Sequence, residues 1–234
     1  VIRIGVTGTD TGVGKTVVTC GLVAALRRRG LRVVGMKPVE SGVAPDDPTR
    51  DGARIARAAG ETRPLSVTAP ITFPDAVAPL VAARRAGRVI DLDRLDASVK
   101  EASRDADVLV VEGAGGLLVP VTDRLSFDML FARWALEPIV VAANRLGVIN
   151  HVRLTLAACR AAGLRPRAVV LNTLSTLSFD SSTAENAKMI GELERIAVCE
   201  LPWLPRLDDL EHNLGVVEQS GLVELLVPAL RNPV

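Results

Sequence analysis

An α/β fold, with a mostly parallel sheet covered by helices on both faces, is predicted by three features of the sequence. Short apolar runs alternate with segments of helical spacing, the pattern that buries a parallel sheet under crossover helices. A glycine-rich loop, GTDTGVGKT at Gly8–Thr16, sits between the first apolar run and the first helical segment. Polar and glycine residues then gather at the carboxyl ends of the apolar runs, where ligands of open α/β sheets bind. With 234 residues, 48% of them hydrophobic, the chain can bury a substantial core as one domain spanning residues 1–234.

Taken in order, Ile2–Thr7 is a buried strand and Val17–Arg29 a helix with Leu22, Val23 and Leu26 inward. Arg27–Arg29 suit the negative end of the helix dipole, and Gly30 is the natural stop. Leu31–Met36 is a second buried strand, ending at Lys37-Pro38. Glu40–Arg50, rich in Gly, Pro, Asp and Ser, reads as a surface loop, and Asp51–Ala59 as a short helix. Thr62–Pro79 carries four prolines and reads as irregular. Leu92–Ser103 is an amphipathic helix, followed by a strand at Asp107–Val111 that runs into Glu112-Gly113-Ala114-Gly115-Gly116. Phe127–Ala135, Asn150–Ala162, Ser181–Arg195 and Gly221–Leu230 have helical spacing; Pro138–Ala143, Arg167–Leu171 and Ile196–Glu200 read as strands. Gly163 stops the second of those helices, and a serine caps the third.

Composition narrows the function. A net charge of +1 provides no field for nucleic acid, and the absence of Tyr, with four Phe and two Trp, leaves no base-stacking platform. Cys20, Cys159 and Cys199 are isolated, which argues against a disulfide framework or a zinc site and suits a reducing cytoplasm. No apolar run approaches the roughly 20 residues of a membrane helix. Because Val1–Val6 already has the pattern of a core strand, no secretory leader is expected within the sequence. His151 has no acidic or cysteine partner nearby and reads as structural, and His212 as a surface residue. Without a Ser/His/Asp or Cys/His constellation, hydrolytic nucleophile chemistry has no support.

The glycine-rich loop carries the chemistry. Strand, glycine-rich turn and helix form the context of a P-loop, so the fold is expected to be a single-domain P-loop NTPase. Gly12 and Gly14 let the backbone aim N–H groups at a phosphate, with Val13 between them and Val17 in the helix behind. Lys15 neutralises the β- and γ-phosphates, and the Thr16 hydroxyl reaches a magnesium ion. The general pattern places its first glycine at position 9; here Thr9 stands there and Gly8 one residue earlier, so the loop is longer by one. Glu112, at the end of an apolar strand, is a candidate magnesium carboxylate, and Asp51 a second one at a helix start. Gly113, Ala114 and Gly115 allow close backbone approach to the nucleotide. Lys37, directly after a strand and before Pro38, points where the γ-phosphate lies, and Ser41 shares its turn.

With these residues placed, the chain resembles the dethiobiotin synthetase family from Gly5 to about Leu204. The resemblance rests on GTDTGVGKT (Gly8–Thr16), KPVESG (Lys37–Gly42), VEGAGG (Val111–Gly116), RLGVINH (Arg145–His151), VVLNT (Val169–Thr173) and LPWL (Leu201–Leu204). Each piece alone is weak; the combination is specific, and the longer P-loop is the form that family shows. The resemblance implies ATP-dependent conversion of 7,8-diaminononanoate and CO₂ to dethiobiotin, ADP and phosphate, through a phosphorylated carbamate. It implies that Thr11, Lys37 and Ser41 touch the diamine or its carbamate, with Lys37, Lys15 and Thr11 catalytic. It implies that Thr16, Asp51 and Glu112 serve Mg²⁺, while Asn172 and Thr173 with Pro202, Trp203 and Leu204 hold adenine. Family members are homodimers, so the partner subunit is expected to bind the substrate carboxylate through Leu146, Gly147 and Asn150. That segment leads into a helix, whose free N–H groups suit an anion.

The chain departs from the family pattern at two places. Gly12 stands where some members carry glutamate, and Phe73–Leu80 lacks a histidine that often follows its proline. Two other functions share the architecture. A ParA/MinD-like ATPase switch typically carries a second lysine early in the P-loop, where this chain has Asp10. A cobyrinate-type amidoligase normally needs a glutamine-hydrolysing domain, for which the chain has no room. A paralogue that binds nucleotide without turnover is disfavoured by Lys15, Lys37 and Glu112.

Overall fold

The structure is a computed structural model that describes residues 1–174, 182–203 and 209–227. Its centre is a six-stranded sheet of β1 (Ile2–Gly8), β2 (Val33–Met36), β5 (Val108–Gly116), β6 (Glu137–Ala143), β7 (Ala168–Asn172) and β8 (Ala197–Leu201). The order is β2-β5-β1-β6-β7-β8 and every pairing is parallel. All carboxyl ends therefore lie along one edge, and β1 delivers the P-loop from the middle of the sheet.

Period-two alternation sends successive side chains to opposite faces, so both faces need cover. Val108 and Val110 of β5 join Ile139 and Val141 of β6 in one hydrophobic cluster, under α1 (Lys15–Arg28), α2 (Asp51–Ala59), α9 (Leu210–Gln219) and α10 (Leu222–Leu226). Leu109 and Val111 join Val140 and Ala142 in the other, under α5 (Leu92–Ser103), α6 (Phe127–Arg133) and α7 (Val148–Ala161). Helix α8 (Thr183–Glu194) adds Ile190 to that second cluster. Helix α1 is buried from Val17 to Leu26 and packs between α2 and α9, which fixes the floor beneath the P-loop.

The expected elements appear with small boundary shifts: α1 begins at Lys15, α7 at Val148 and α8 at Thr183, and α10 is described over Leu222–Leu226. Ser181 and residues 228–230 of the expected helices lie outside the described residues. Ser182 precedes α8, without a side-chain capping bond.

Two readings need correction. Glu40–Arg50 is not wholly a surface loop: Val39–Ser41 forms β3, and both Glu40 and Arg50 are buried. Thr62–Pro79 is not irregular either. It contains α3 (Leu65–Thr68) and β4 (Ile71–Phe73), and β3 and β4 pair in parallel as a second, two-stranded sheet. Prolines bound these elements rather than breaking them: Pro64 caps α3, Pro70 precedes β4 and Pro79 opens α4 (Pro79–Arg85). Helix α9 is also present, with Asp209 accepting from the His212 N–H as its cap.

Candidate functional site

The P-loop takes its shape from left-handed backbone at Gly12 (φ 75°) and Gly14 (φ 95°), the latter the residue before α1. A side chain is excluded at Gly14 on a second ground: a Cβ there would lie 2.0 Å from Asn172 Nδ2. Asn172 donates from that nitrogen to the Val13 carbonyl at 3.0 Å, so the tip of β7 braces the loop from below. Lys15 Nζ donates to the Asp10 carbonyl at 2.9 Å, across the loop. The first N–H groups of α1 complete a cradle of donors for an anion.

Behind the cradle is a network of buried charges. Glu112, 0% exposed, ends the apolar part of β5. Its Oε1 accepts from Thr16 Oγ1 at 2.8 Å and from Lys37 Nζ at 2.5 Å. Its Oε2 accepts from Thr19 Oγ1 at 2.6 Å. Lys37 Nζ donates further to Asp51 Oδ2 at 3.1 Å and to the Gly113 carbonyl at 3.2 Å. Burial by itself lowers the Lys37 pKa, but the facing Glu112 and Asp51 carboxylates outweigh it, so the ammonium is held charged well above its ordinary range. Lys15 moves the opposite way. Burial lowers it, Glu112 partly offsets that, and the neighbouring Lys37 charge adds to the lowering.

Thr11, Gly12, Gly14, Lys15, Thr16 and Val17 line a cavity of about 570 Å³ together with Lys37, Ser41, Asp51, Ala114 and Gly115. The structure thus brings the P-loop, the Lys37 turn, the start of α2 and the end of β5 to one place. Asn172 sits beneath the P-loop instead of on the cavity wall, and Thr173 N–H is bonded to the Leu201 carbonyl at 3.0 Å. Pro202 and Trp203 are exposed beyond β8, and Leu204 lies outside the described residues. Leu146, Gly147 and Asn150 are exposed at the start of α7 and do not line the cavity.

Sequence reasoning missed Thr19, Glu40 and the segment Ala76–Pro79 with Val43 and Val119 on the far wall. Thr19 was findable. It lies three residues after Thr16 in a helix and so shares its face.

The described donors around Lys37, a hydroxyl and two carboxylates, are the hard oxygens that Mg²⁺ prefers. Among the described residues, no group of three or more His, Cys, Asp or Glu is arranged to hold a metal. No helix among them is long and apolar enough to cross a membrane.

Residues 3–211 match a family described as an AAA domain. An ATP-dependent dethiobiotin synthetase from Anaeromyxobacter dehalogenans is 42% identical over 91% of this chain and 95% of its own length. One from another Anaeromyxobacter strain is 47% identical over 82% and 88%, and one from Aquifex aeolicus 34% identical over 97% and 98%. The chain belongs to the ATP-dependent dethiobiotin synthetase family. Among solved structures, the MinC:MinD cell division complex of Aquifex aeolicus has a TM-score of 0.56 at 14% identity, covering 100% of this chain and 98% of that one. A hydrogenase maturation factor HypB from Archaeoglobus fulgidus has 0.55 at 16%, covering 99% and 91%. At those identities the likeness concerns the fold alone, and the synthetase relatives, over 30% identical across nearly the whole chain, decide the family.

Proposed function

We propose that the protein, acting as one domain, converts 7,8-diaminononanoate, CO₂ and MgATP to dethiobiotin, ADP and phosphate. The observation that carries this reading is the Lys37 ammonium, clasped by Glu112 and Asp51 beside Thr16 at the wall of the P-loop cavity. The P-loop N–H groups and Lys15 hold the β- and γ-phosphates, and Gly113–Gly115 pass close beside the nucleotide. Thr16, Asp51 and Glu112 are the residues that would hold Mg²⁺. When bound, the ion withdraws charge from the transferring phosphoryl group as a Lewis acid.

One substrate amine adds to CO₂ and loses a proton, giving a carbamate. A carbamate oxygen takes the γ-phosphoryl group as its bond to ADP breaks. The second amine then attacks the carbamoyl carbon and loses a proton, and phosphate leaves as the ureido ring closes. Charge accumulates on the carbamate and phosphoryl oxygens, and the Lys37 ammonium, favoured by the facing Glu112 and Asp51 carboxylates, is placed to offset it. Thr11 and Ser41, on the same cavity, orient the diamine.

Adenine is held by Asn172, Thr173 and the Pro202–Leu204 segment. The protein acts as a homodimer in which Leu146, Gly147 and Asn150 of one copy bind the substrate carboxylate of the other. In support, Leu146 and Leu154 of that surface are 77% and 62% exposed in the single chain, a load of apolar area that a partner would cover. The buried, free Cys20, Cys159 and Cys199 fit a cytoplasmic location.

Release of ADP in bicarbonate buffer tests the reading. Release is expected only with Mg²⁺ and the diamine together, and dethiobiotin should accumulate in step. ATP hydrolysis at the same rate without diamine would instead identify a nucleotide switch, and a glutamine requirement an amidoligase.

A further inference from the structure

Asp51 is flanked on both sides by a buried clamp. Glu40 on β3 and Arg50, the residue that precedes α2, have side chains only 3% exposed each. Arg50 Nη1 donates to Glu40 Oε1 at 2.5 Å, and the Gly52 N–H donates to Glu40 Oε2 at 3.0 Å. One carboxylate therefore grips the side chain before Asp51 and the backbone after it. Arg50 supplies no side-chain cap to α2, and Glu40 meets that need from across the chain, where the helix dipole favours a negative charge. The fit requires glycine at position 52. A Cβ there would lie 2.6 Å from Glu40 Oε1 and 2.4 Å from Ala69 Cβ.

Asp51 needs such support. Its side chain is 39% exposed, and Lys37 is its one side-chain partner among the described residues. Where Asp51 sits thus depends on where its backbone is held. Burial pushes the Glu40 carboxyl above the usual carboxylate range, against the pull of the Gly52 N–H and Arg50. A buried ion pair adds little stability over an apolar pair of the same size, so stability alone does not account for Glu40 and Arg50 at this wall.

We propose that Glu40 and Arg50 are positioning residues that hold Asp51 beside Lys37, where its carboxylate would serve a magnesium ion. The inference rests on Asp51 as a magnesium ligand, as argued above. Glu40 also borders the cavity, but both of its oxygens are engaged by Arg50 and the Gly52 N–H, so in this scheme it acts through Asp51.

Calorimetric titration of Mg²⁺ into protein saturated with a non-hydrolysable ATP analogue tests it. Glu40→Gln should raise the Mg²⁺ half-saturation about tenfold, as loss of a ligand-orienting partner commonly does. Affinity for ADP without Mg²⁺ should stay within about twofold, because the P-loop is untouched. Glu40→Gln added to Asp51→Asn should shift Mg²⁺ little further, since Glu40 acts through the Asp51 carboxylate that the first change has already removed. Glu40→Met with Arg50→Met removes both buried charges together and serves if the single variant does not fold. It should melt near the wild-type temperature yet keep the raised Mg²⁺ requirement.

An unshifted Glu40→Gln, full additivity with Asp51→Asn, or a double-methionine variant with wild-type Mg²⁺ half-saturation would each overturn the inference. Should Asp51→Asn alone leave Mg²⁺ binding unchanged, the magnesium role of Asp51 falls and the inference with it. A shift in Asp51→Asn with none in Glu40→Gln refutes the inference alone.

Discussion

The end of β5 and the start of α2 each bring one carboxylate to Lys37, and they hold it by opposite means. Glu112 is wholly buried, and both of its oxygens are engaged by side chains from α1 and by Lys37. Asp51 is part-exposed and, among the described residues, has Lys37 as its one side-chain partner, while its neighbours in sequence are pinned by Glu40. A strand end inside a parallel sheet is already immobile, so hydroxyl groups suffice to orient its side chain. A helix start reached by a loop from Gly42 to Arg50 is not, so there the backbone itself has to be anchored. The same charge can thus be delivered by fixing a rotamer or by fixing a chain direction.

The strongest way to break this contrast is Glu112→Gln. It keeps the shape but leaves the buried Lys37 cation with Asp51 as its one carboxylate partner among the described residues, beside the Gly113 carbonyl, and the expected loss is about 3–5 kcal/mol of stability. Urea unfolding measures it, and turnover should fall alongside. A loss below about 1 kcal/mol would mean that the pair behaves as a solvated surface bridge.

A smaller effect should separate orientation from charge. Thr19→Val leaves Glu112 Oε2 buried without its hydroxyl donor, and should cost about 1–3 kcal/mol. Thr19→Ser should restore most of it, since the hydroxyl returns; if serine behaves like valine, the methyl packing of Thr19 matters and its hydrogen bond does not.

The smallest effect belongs to the opposite end of β5. There Asp107 holds Arg32 through exposed bonds, and hydrogen bonding by Arg32 pulls its pKa from 3.8 to about 2. The folded value lies below the unfolded one, so the contribution is complete above pH 3.8 and disappears as pH falls toward 2. Asp107→Asn should therefore differ from wild type by a small, constant amount above that pH, and the two melting curves should converge below it. A difference that persists at pH 2 would assign the effect to something other than this charge.

Much of the site was legible because strand ends are. Apolar runs of four to six residues stopping at Lys37 or Glu112 leave those side chains no direction but the ligand edge of a parallel sheet. The P-loop was readable for the same reason, with its glycines at the two left-handed positions. Glu40, Arg50 and the far wall were not. Strands β3 and β4 span three residues each and α3 only four, too few for any period to stand out, and their flanking prolines mimic a loop. Nothing in the local sequence says that Glu40 and Arg50 leave water, because their burial comes from a contact ten residues apart and from Ala69 above Gly52. Helix α9 was recoverable in principle, since Leu210, Leu214 and Val217 follow an Asp cap at helical spacing.

The position of β1 in the sheet also governs when the protein can first hold a nucleotide. Its two strand neighbours are β5 and β6, which begin at Val108 and Glu137. During synthesis the segment bearing Gly8–Thr16 precedes both of those strands, and it has no edge to pair with until the chain has been made beyond Val108. The phosphate cradle thus depends on strands made well after it, and a nucleotide can stabilise the nascent protein only once they have paired with β1.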